Sequence, residues 1–300
     1  MGATADGRRS RRGVRPRGDI ARGRLHPAHR RRRRRSVVTT ETLAAMGLPM
    51  KRVGAANWLH SYRAMVRWEV LGSRLVLPLL VIVQILAGAG FVVGFGLLIP
   101  DISSAAALYL STGAVVMSLI LIGLIVTPQI VAQQKMEGSY DFMWSLPVPR
   151  SAATLASVTL AALVAIPGVV AALLVAVWRY DVTFTVDASI VPAFTLTVAC
   201  GCLLGTALAH SLGSPQVTLL LSQLLIFFTI GFSPISFPID RLPAWLATLH
   251  EYLPVHHMAL AIRSSLTDGL VEMTARSWVV LTVWTAAAAL VTAVVLVRRK

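Results

Sequence analysis

The 300-residue sequence contains little charge and little cysteine. Charged residues make up 14% of the chain and hydrophobic residues 56%, whereas a typical soluble domain is about 25% charged. This balance excludes a soluble enzyme and a disordered protein, and it leaves a polytopic membrane protein. The only cysteines, Cys200 and Cys202, both lie in an apolar stretch. They exclude a disulfide scaffold and give no information about the redox compartment.

Motifs for nucleotide binding and catalysis are also missing. No Gly-x4-Gly-Lys-[Ser/Thr] pattern occurs, so the chain lacks the loop that cradles nucleotide phosphates. No Gly-x-Ser-x-Gly elbow occurs either. The cluster His250, His256 and His257 suggests zinc, but Pro254 stands where the metalloprotease motif needs its second histidine. We therefore predict no catalytic residue, no metal site and no cofactor bound by this chain.

Long charge-free runs dominate the sequence instead. A helix needs about 20 apolar residues to cross about 30 Å of hydrocarbon, and the runs are long enough for six crossings. A Gly-Ser-Pro break near Pro215 divides the longest run, 188–239, into two. The predicted fold class is an all-α polytopic membrane protein with six transmembrane helices, at residues 76–99, 105–127, 153–177, 190–210, 216–232 and 277–297.

The predicted spans carry uncharged polar residues but no Asp, Glu, Lys or Arg. Ion-coupled carriers normally keep an ionisable residue in the membrane. Gln84 and Gln223 can line a path for an amphipathic substrate, or they can form hydrogen bonds between helices. Glycines at four-residue spacing predict close-packed helix faces, at Gly90 and Gly94, extended by Gly88 and Gly96, and at Gly201 and Gly205.

Basic residues are concentrated at the N-terminus. Residues 1–35 hold 14 arginines and two aspartates, and so carry +12 of the chain's net charge of +15. Residues 1–45 contain no aromatic residue for base stacking, so we predict no nucleic-acid partner. We interpret this tail as a disordered cytoplasmic arm on anionic lipid, or as an over-long start before Met46. With both termini inside, the inner segments hold 24 of the 28 basic residues, so the positive-inside rule places both termini in the cytoplasm.

Three segments outside the spans have helical patterns. Residues 56–74 predict an amphipathic helix in the membrane interface before the first span, and Glu69 is the one polar residue on its apolar face. The segment 233–276 predicts two short helices, half-inserted from the outer side. The cytoplasmic segment 133–150 has large apolar residues on a short helix, which indicates either a docking site for a partner or an anchor at the interface.

Two of these segments match the pattern of a known family. Residues 135–150 contain charged residues, a glycine, a short helix and a Leu-Pro-Val-Pro-Arg ending, in which Pro149 replaces the usual Ser or Thr. Residues 232–254 contain the proline-rich stretch that precedes the last span. In these features the chain resembles the permease, the membrane subunit of type-2 ABC transporters. The resemblance covers residues 55–300.

The resemblance implies a six-span permease domain over residues 55–300 that works with two ABC ATPase subunits and a second permease, identical or homologous, in the lipid bilayer. The ATPase subunits would bind ATP and Mg. This chain would be a transport subunit without an ATPase site, forming the path for an exported amphipathic drug, antibiotic or lipid. The arginine and alanine content suggests a high-GC genome, and hence the inner membrane of a bacterium. The implied ATPase-coupling residues are Glu137, Gly138, Tyr140, Asp141, Phe142, Trp144, Leu146 and Pro147.

Within this loop we expect one helix over residues 136–146, ended by Pro147. On that helix Glu137 and Asp141 would share a face at i, i+4 spacing. The large apolar residues would be exposed to a partner, namely Tyr140, Phe142, Met143 and Trp144.

The alternative is a membrane protein that does not use ATP, either a secondary carrier or an integral-membrane enzyme. A carrier would be expected to show inverted repeats and ionisable residues in its spans. An enzyme would be expected to show a cluster of His, Asp or Glu at the membrane edge, for which residues 250–257 are the candidate.

Overall fold

The computed structural model describes residues 54–99 and 101–298, and within them the chain is helical with no strand. The basic tail predicted at residues 1–45 lies outside the described residues. In chain order the helices are α1 Ala55–Gly72, α2 Leu77–Leu97, α3 Ser104–Ile120, α4 Thr127–Glu137, α5 Ser139–Ser145, α6 Arg150–Tyr180, α7 Ile190–Ser211, α8 Pro215–Phe232, α9 Ala244–His250, α10 Pro254–Leu266 and α11 Ala275–Arg298.

Six of the helices in the described residues are long and apolar enough to cross a membrane. They are α2, the continuous α3–α4, α6, α7, α8 and α11. The predicted fold class and the number of spans are therefore confirmed. Two helices are longer than predicted, because the second runs over Ser104–Glu137 and the third over Arg150–Tyr180.

The second span continues through a proline, and its predicted end at residue 127 is wrong. A π-helical turn, Leu121–Val126, joins α3 to α4 immediately before Pro128. Pro128 cannot donate a backbone hydrogen bond, and in the same turn the Thr127 hydroxyl donates to the Ile122 carbonyl at 2.9 Å. The helix then extends ten residues beyond the predicted end, which is about 15 Å.

The second span is the centre of the bundle, and α7 packs against its π-helical turn. A Cβ atom on Gly205 would lie 2.5 Å from the Gly123 carbonyl oxygen, and one on Gly123 would lie 2.9 Å from the Cys202 nitrogen. Only glycine permits this approach of the two backbones. The predicted close-packed face at Gly201 and Gly205 is therefore confirmed.

The predicted face on α2 is only partly correct. A Cβ atom on Gly88 would lie 2.1 Å from the Gly168 carbonyl oxygen of α6, and one on Gly96 would overlap the Tyr180 hydroxyl. No described atom lies within 4 Å of a Cβ atom placed on Gly90 or Gly94. The α2–α6 contact therefore uses Gly88 and Gly96, and the prediction for Gly90 and Gly94 is wrong within this chain.

Backbone and side-chain contacts group the connecting segments at two ends of the bundle. At one end, Thr185 and Asp187 donate backbone hydrogen bonds to the carbonyls of Leu266 and Ser265, at 3.0 and 2.9 Å. At the other end, which carries the segment 133–150, Arg150 donates to the Leu296 carbonyl. Six alternating crossings require this grouping. We call the second end the loop end, and residues 133–150 the inter-span loop.

The short helices pack onto the spans. Helix α1 packs along α6. Its Trp58 indole donates to the Ser151 hydroxyl at 3.0 Å, its Tyr62 hydroxyl forms a hydrogen bond with Thr159, and its Met65 is buried. At the opposite end, α10 has 13 residues, a length of about 20 Å, which is too short to cross the hydrocarbon. Most of α10 is nevertheless buried, against α3, α7 and α11.

Candidate functional site

The inter-span loop contains two helices separated by a left-handed glycine. Gly138 has φ +75°, a conformation that glycine adopts without steric cost, and it ends α4 and begins α5. The expectation of one helix over residues 136–146 is therefore wrong. Glu137 closes α4 and accepts a 2.6 Å hydrogen bond from the Gln133 amide, while Asp141 lies on α5. The two acids do not share a helix face.

The end of α5 agrees with the prediction from Pro147. The helix ends at Ser145, and Leu146 is extended with φ −75° and ψ 140°. A proline disfavours the α-helical conformation in the residue before it, so Pro147 accounts for this end. The Ser145 hydroxyl donates to the Phe142 carbonyl at 2.7 Å, within the last turn.

The predicted coupling residues differ in exposure. Phe142 is 54% exposed, and its ring centroid lies 6.1 Å from that of Trp68 on α1. Leu146 is half-buried, and the side chain of Trp144 lies outside the described part of the structure. Tyr140 is only 8% exposed, so the expectation that it faces a partner is wrong. The remaining coupling residues are exposed, namely Glu137, Gly138, Asp141 and Pro147.

Tyr140 is buried because α5 packs on the end of α7. Its ring centroid lies 5.5 Å from that of His210, and the Lys135 ammonium lies 5.6 Å from the centre of the Tyr140 ring. Lys135 also donates to the carbonyls of Ala209 and Leu212, the latter at 3.0 Å. A cation at these carbonyls stabilises the C-terminus of a helix. Sequence analysis did not identify Lys135 and His210 as functional residues. Only the fold brings the inter-span loop to the C-terminal end of α7.

The two predicted path residues lie in different surroundings. Gln84 is buried between helices, and its amide donates to the Ser118 carbonyl at 3.0 Å. It forms the interhelical hydrogen bond that was the alternative interpretation. Gln223 is exposed on α8. At helical spacing it lies on one face with Gln216, Leu220 and Phe227, which are also exposed.

A cavity of about 650 Å³ lies at the loop end, between α1, α4, α5 and α6. Glu69 of α1 faces it, and the Ser157 hydroxyl of α6 donates to the Glu69 carboxylate. Burial raises the pKa of Glu69 to about 7, although the hydrogen bond from Ser157 opposes the shift. Glu69, the one acidic residue on the apolar face predicted for α1, therefore faces the cavity.

Arg263 of α10 is a second feature that sequence analysis missed. It is 1% exposed, and its guanidinium carbon lies 3.3 Å from the Tyr109 ring centroid. Its Nε donates to the Thr112 hydroxyl at 3.0 Å, and a terminal nitrogen donates to the Ile235 carbonyl at 2.6 Å. These contacts join α10 and the segment after α8 to the second span. An arginine directly after the apolar run 258–262 of a short helix was the available signal.

Two of the three histidines in and near α10 contact main-chain carbonyls. The Nδ1 atom of His250 lies 2.9 Å from the Leu246 carbonyl, and the Nε2 atom of His257 lies 2.9 Å from the Glu251 carbonyl. Across residues 54–99 and 101–298, no group of three or more His, Cys, Asp or Glu side chains can hold a metal ion.

A comparison with family models identifies the family. The model described as ABC-2 type transporter matches residues 60–267, which is more than half of the chain. The chain belongs to the ABC-2 type transporter family. A search of curated proteins found no match to it.

Membership in the ABC-2 family makes this chain the multi-pass membrane component of an ABC transporter, which works with an ATPase. Such a domain is typically non-catalytic. The matched residues include the inter-span loop, all of the cavity lining except Leu296, and Arg263. The match favours a permease over the alternatives that do not use ATP, a secondary carrier or a membrane enzyme.

Proposed function

We propose that this ABC-2 permease is the transport subunit of an ATP-driven exporter, and that its inter-span loop receives the motion of the ATPase. The observation that carries the proposal is the two-sided packing of α5. Phe142 is exposed on one side of this helix, whereas Tyr140 is buried on the other side against α7. A force applied at Phe142 is therefore passed to the end of a membrane span.

The residues of α5 have separate roles in this mechanism. Phe142 is the residue that enters a groove of the ATPase. We assign this role to it because bulky side chains in well-packed pockets contribute most of the binding energy at interfaces. Asp141 lies exposed beside it and interacts with the rim of that groove. Tyr140 transmits displacement to His210, and Lys135 keeps α4 attached to the terminal carbonyls of α7.

The transport path in this proposal lies between two permeases, the second identical or homologous to the first, and each permease binds one ATPase. Support comes from α8, which exposes large apolar side chains, among them Leu220, Leu224 and Phe227. Gln216 and Gln223 add polar groups to this surface. A mixed surface of this kind suits an amphipathic drug, antibiotic or lipid. The distribution of basic residues supports an orientation with both termini inside, and the arginine and alanine content supports a bacterial inner membrane.

Co-purification beside a transport assay tests the proposal. The chain is co-expressed with its partner ABC ATPase. Phe142→Ala should release the ATPase and abolish export, whereas Phe232→Ala, an exposed phenylalanine at the other end of the bundle, should retain the ATPase. Gln223→Ala should retain the ATPase and reduce export. Normal export and ATPase binding by Phe142→Ala would show that the loop is only an interfacial anchor.

A further inference from the structure

The cavity at the loop end has the size of a ligand site. Its volume of about 650 Å³ lies within the range of about 300–1,000 Å³ typical of small-molecule pockets. Apolar side chains from three helices line its inner part, among them Leu77, Leu80, Ile122, Leu160 and Val164.

The cavity extends along α6, and its lining changes along this helix with distance from the loop end. Lining residues recur on α6 from Arg150 to Val164, a length of about 21 Å. Arg150 lies at the loop end, where it donates to the Leu296 carbonyl. Ser157, the partner of Glu69, lies midway, and the apolar residues lie beyond it.

Glu69 is the acid at the boundary between the polar and apolar parts of the cavity. A carboxylate has about four acceptor positions, so the hydrogen bond from Ser157 leaves capacity for a further donor. The other charged residues that line the cavity are Glu137 and Arg150, both from the inter-span loop. Tyr140 and His210 also line it, and their rings pack against each other.

We propose that this cavity binds an amphipathic amine, with the ammonium group against Glu69 and the apolar part among the α2 and α6 side chains. An ammonium group supplies the charge and the donors that a half-buried carboxylate lacks. An anionic amphipath would instead face repulsion from Glu69. The amine can come from a cationic small molecule or from an aminophospholipid such as phosphatidylethanolamine.

Direct binding to the purified full-length chain tests the proposal without the ATPase, so its outcome is independent of the coupling role of the loop. The probe is dansylcadaverine, a fluorescent primary amine, titrated into phosphatidylcholine nanodiscs that contain the chain. Glu69→Gln keeps an acceptor for Ser157 but removes the charge, and it should weaken binding about tenfold or more. Glu272→Gln, an exposed position at the opposite end, should bind like the wild type.

A matched ligand makes the test independent of folding. N-pentyl dansylamide lacks the amine, and it should bind the unchanged chain about tenfold or more weakly than dansylcadaverine. Equal affinity of the two ligands, or equal affinity of Glu69→Gln and the wild type, would overturn the proposal. Competition by phosphatidylethanolamine that is lost in Glu69→Gln would identify an aminophospholipid as the source. Tight amine binding without such competition would identify a soluble cation.

Discussion

Arg263 shows how a single charged side chain can organise the end of the bundle opposite the loop. Its partners are the Thr112 hydroxyl, the Ile235 carbonyl and the Tyr109 ring, so three segments meet at one guanidinium. The planar group has five donors in fixed directions, a geometry that lysine cannot reproduce. We infer that Arg263 holds α10 and the segment after α8 against the second span.

Replacing Arg263 should destabilise the protein far more than replacing an exposed arginine. Arg263→Leu leaves buried acceptors without a donor, at a cost of about 1–3 kcal/mol for each unsatisfied group. Arg276→Leu removes an exposed 3.4 Å ion pair with Glu251, and such pairs contribute about 1 kcal/mol or less. Thermal unfolding in detergent should therefore show a clearly lowered midpoint for Arg263→Leu alone. Equal midpoints for the two variants would contradict the organising role of Arg263.

Glu69 should make stability depend on pH. Burial raises its pKa from 4.5 to about 7 in the folded protein, so the folded state binds the proton more tightly than the unfolded state does. The stabilising contribution of the protonated form is complete below the unfolded pKa and is lost as pH rises through about 7. The advantage of Glu69→Gln over the wild type in unfolding midpoint should therefore grow between about pH 5 and pH 8. Parallel curves for the two proteins would refute this.

At the scale of helices, α5 has an exposed face, represented by Phe142, and a buried face. Its second face, represented by Tyr140, contacts His210 and lies beneath the Lys135 ammonium. In the proposed mechanism, binding of the ATPase and transmission of its motion use different faces of α5 and should be separable by mutation.

Tyr140→Ala should retain the ATPase but uncouple its hydrolysis from export. The variant removes the ring that contacts α7 and leaves Phe142 exposed for docking. Tyr140→Phe keeps the ring and should behave like the wild type. The measurement is the number of ATP molecules hydrolysed for each substrate molecule exported, made on the purified complex in vesicles. An unchanged ratio for Tyr140→Ala would show that force reaches the spans by another route.

The sequence predicts those elements that the membrane constrains directly. Hydrocarbon excludes charge and sets a minimum length, so charge-free runs identify all six spans. The continuation of the second span past Pro128 was not predictable from composition, because a π-helical turn and the Thr127 hydroxyl accommodate the proline. The break at Gly138 depends on one backbone angle, φ +75°.

Contacts between distant segments were the least predictable part of the structure. Periodicity indicated a glycine face on α2, but whether Gly88 or Gly90 is packed depends on where α6 crosses. The burial of Tyr140 depends in the same way on the position of the α7 C-terminus, as its contact with His210 shows. The role of Arg263 was not predictable from the sequence, since its acceptors lie on α3 and after α8.

At the scale of the whole molecule, the two ends of the bundle should face opposite sides of the membrane. Asp268 lies exposed at the end opposite the loop, and Ser139 lies exposed within the loop. The native cysteines, Cys200 and Cys202, are both free and buried, so they are replaced by alanine before labelling.

Asp268→Cys should react with an impermeant maleimide on intact cells, and Ser139→Cys should react only after the cells are opened. The expectation follows from the positive-inside rule, because the sequence segments on the loop side of the six spans hold most of the basic residues. Protein amounts are matched by immunoblot. The reverse labelling pattern would invert the proposed orientation and exclude the loop from contact with a cytoplasmic ATPase.

Site-specific photo-crosslinking tests the central claim most directly, namely that the inter-span loop is the surface that meets the ATPase. A photoreactive phenylalanine replaces Phe142 or, as a control, Trp245, which is 69% exposed on α9 at the opposite end. The account predicts a covalent adduct of permease and ATPase from position 142 and none from position 245. Adducts from position 245, or none from position 142 while the ATPase still co-purifies, would contradict it.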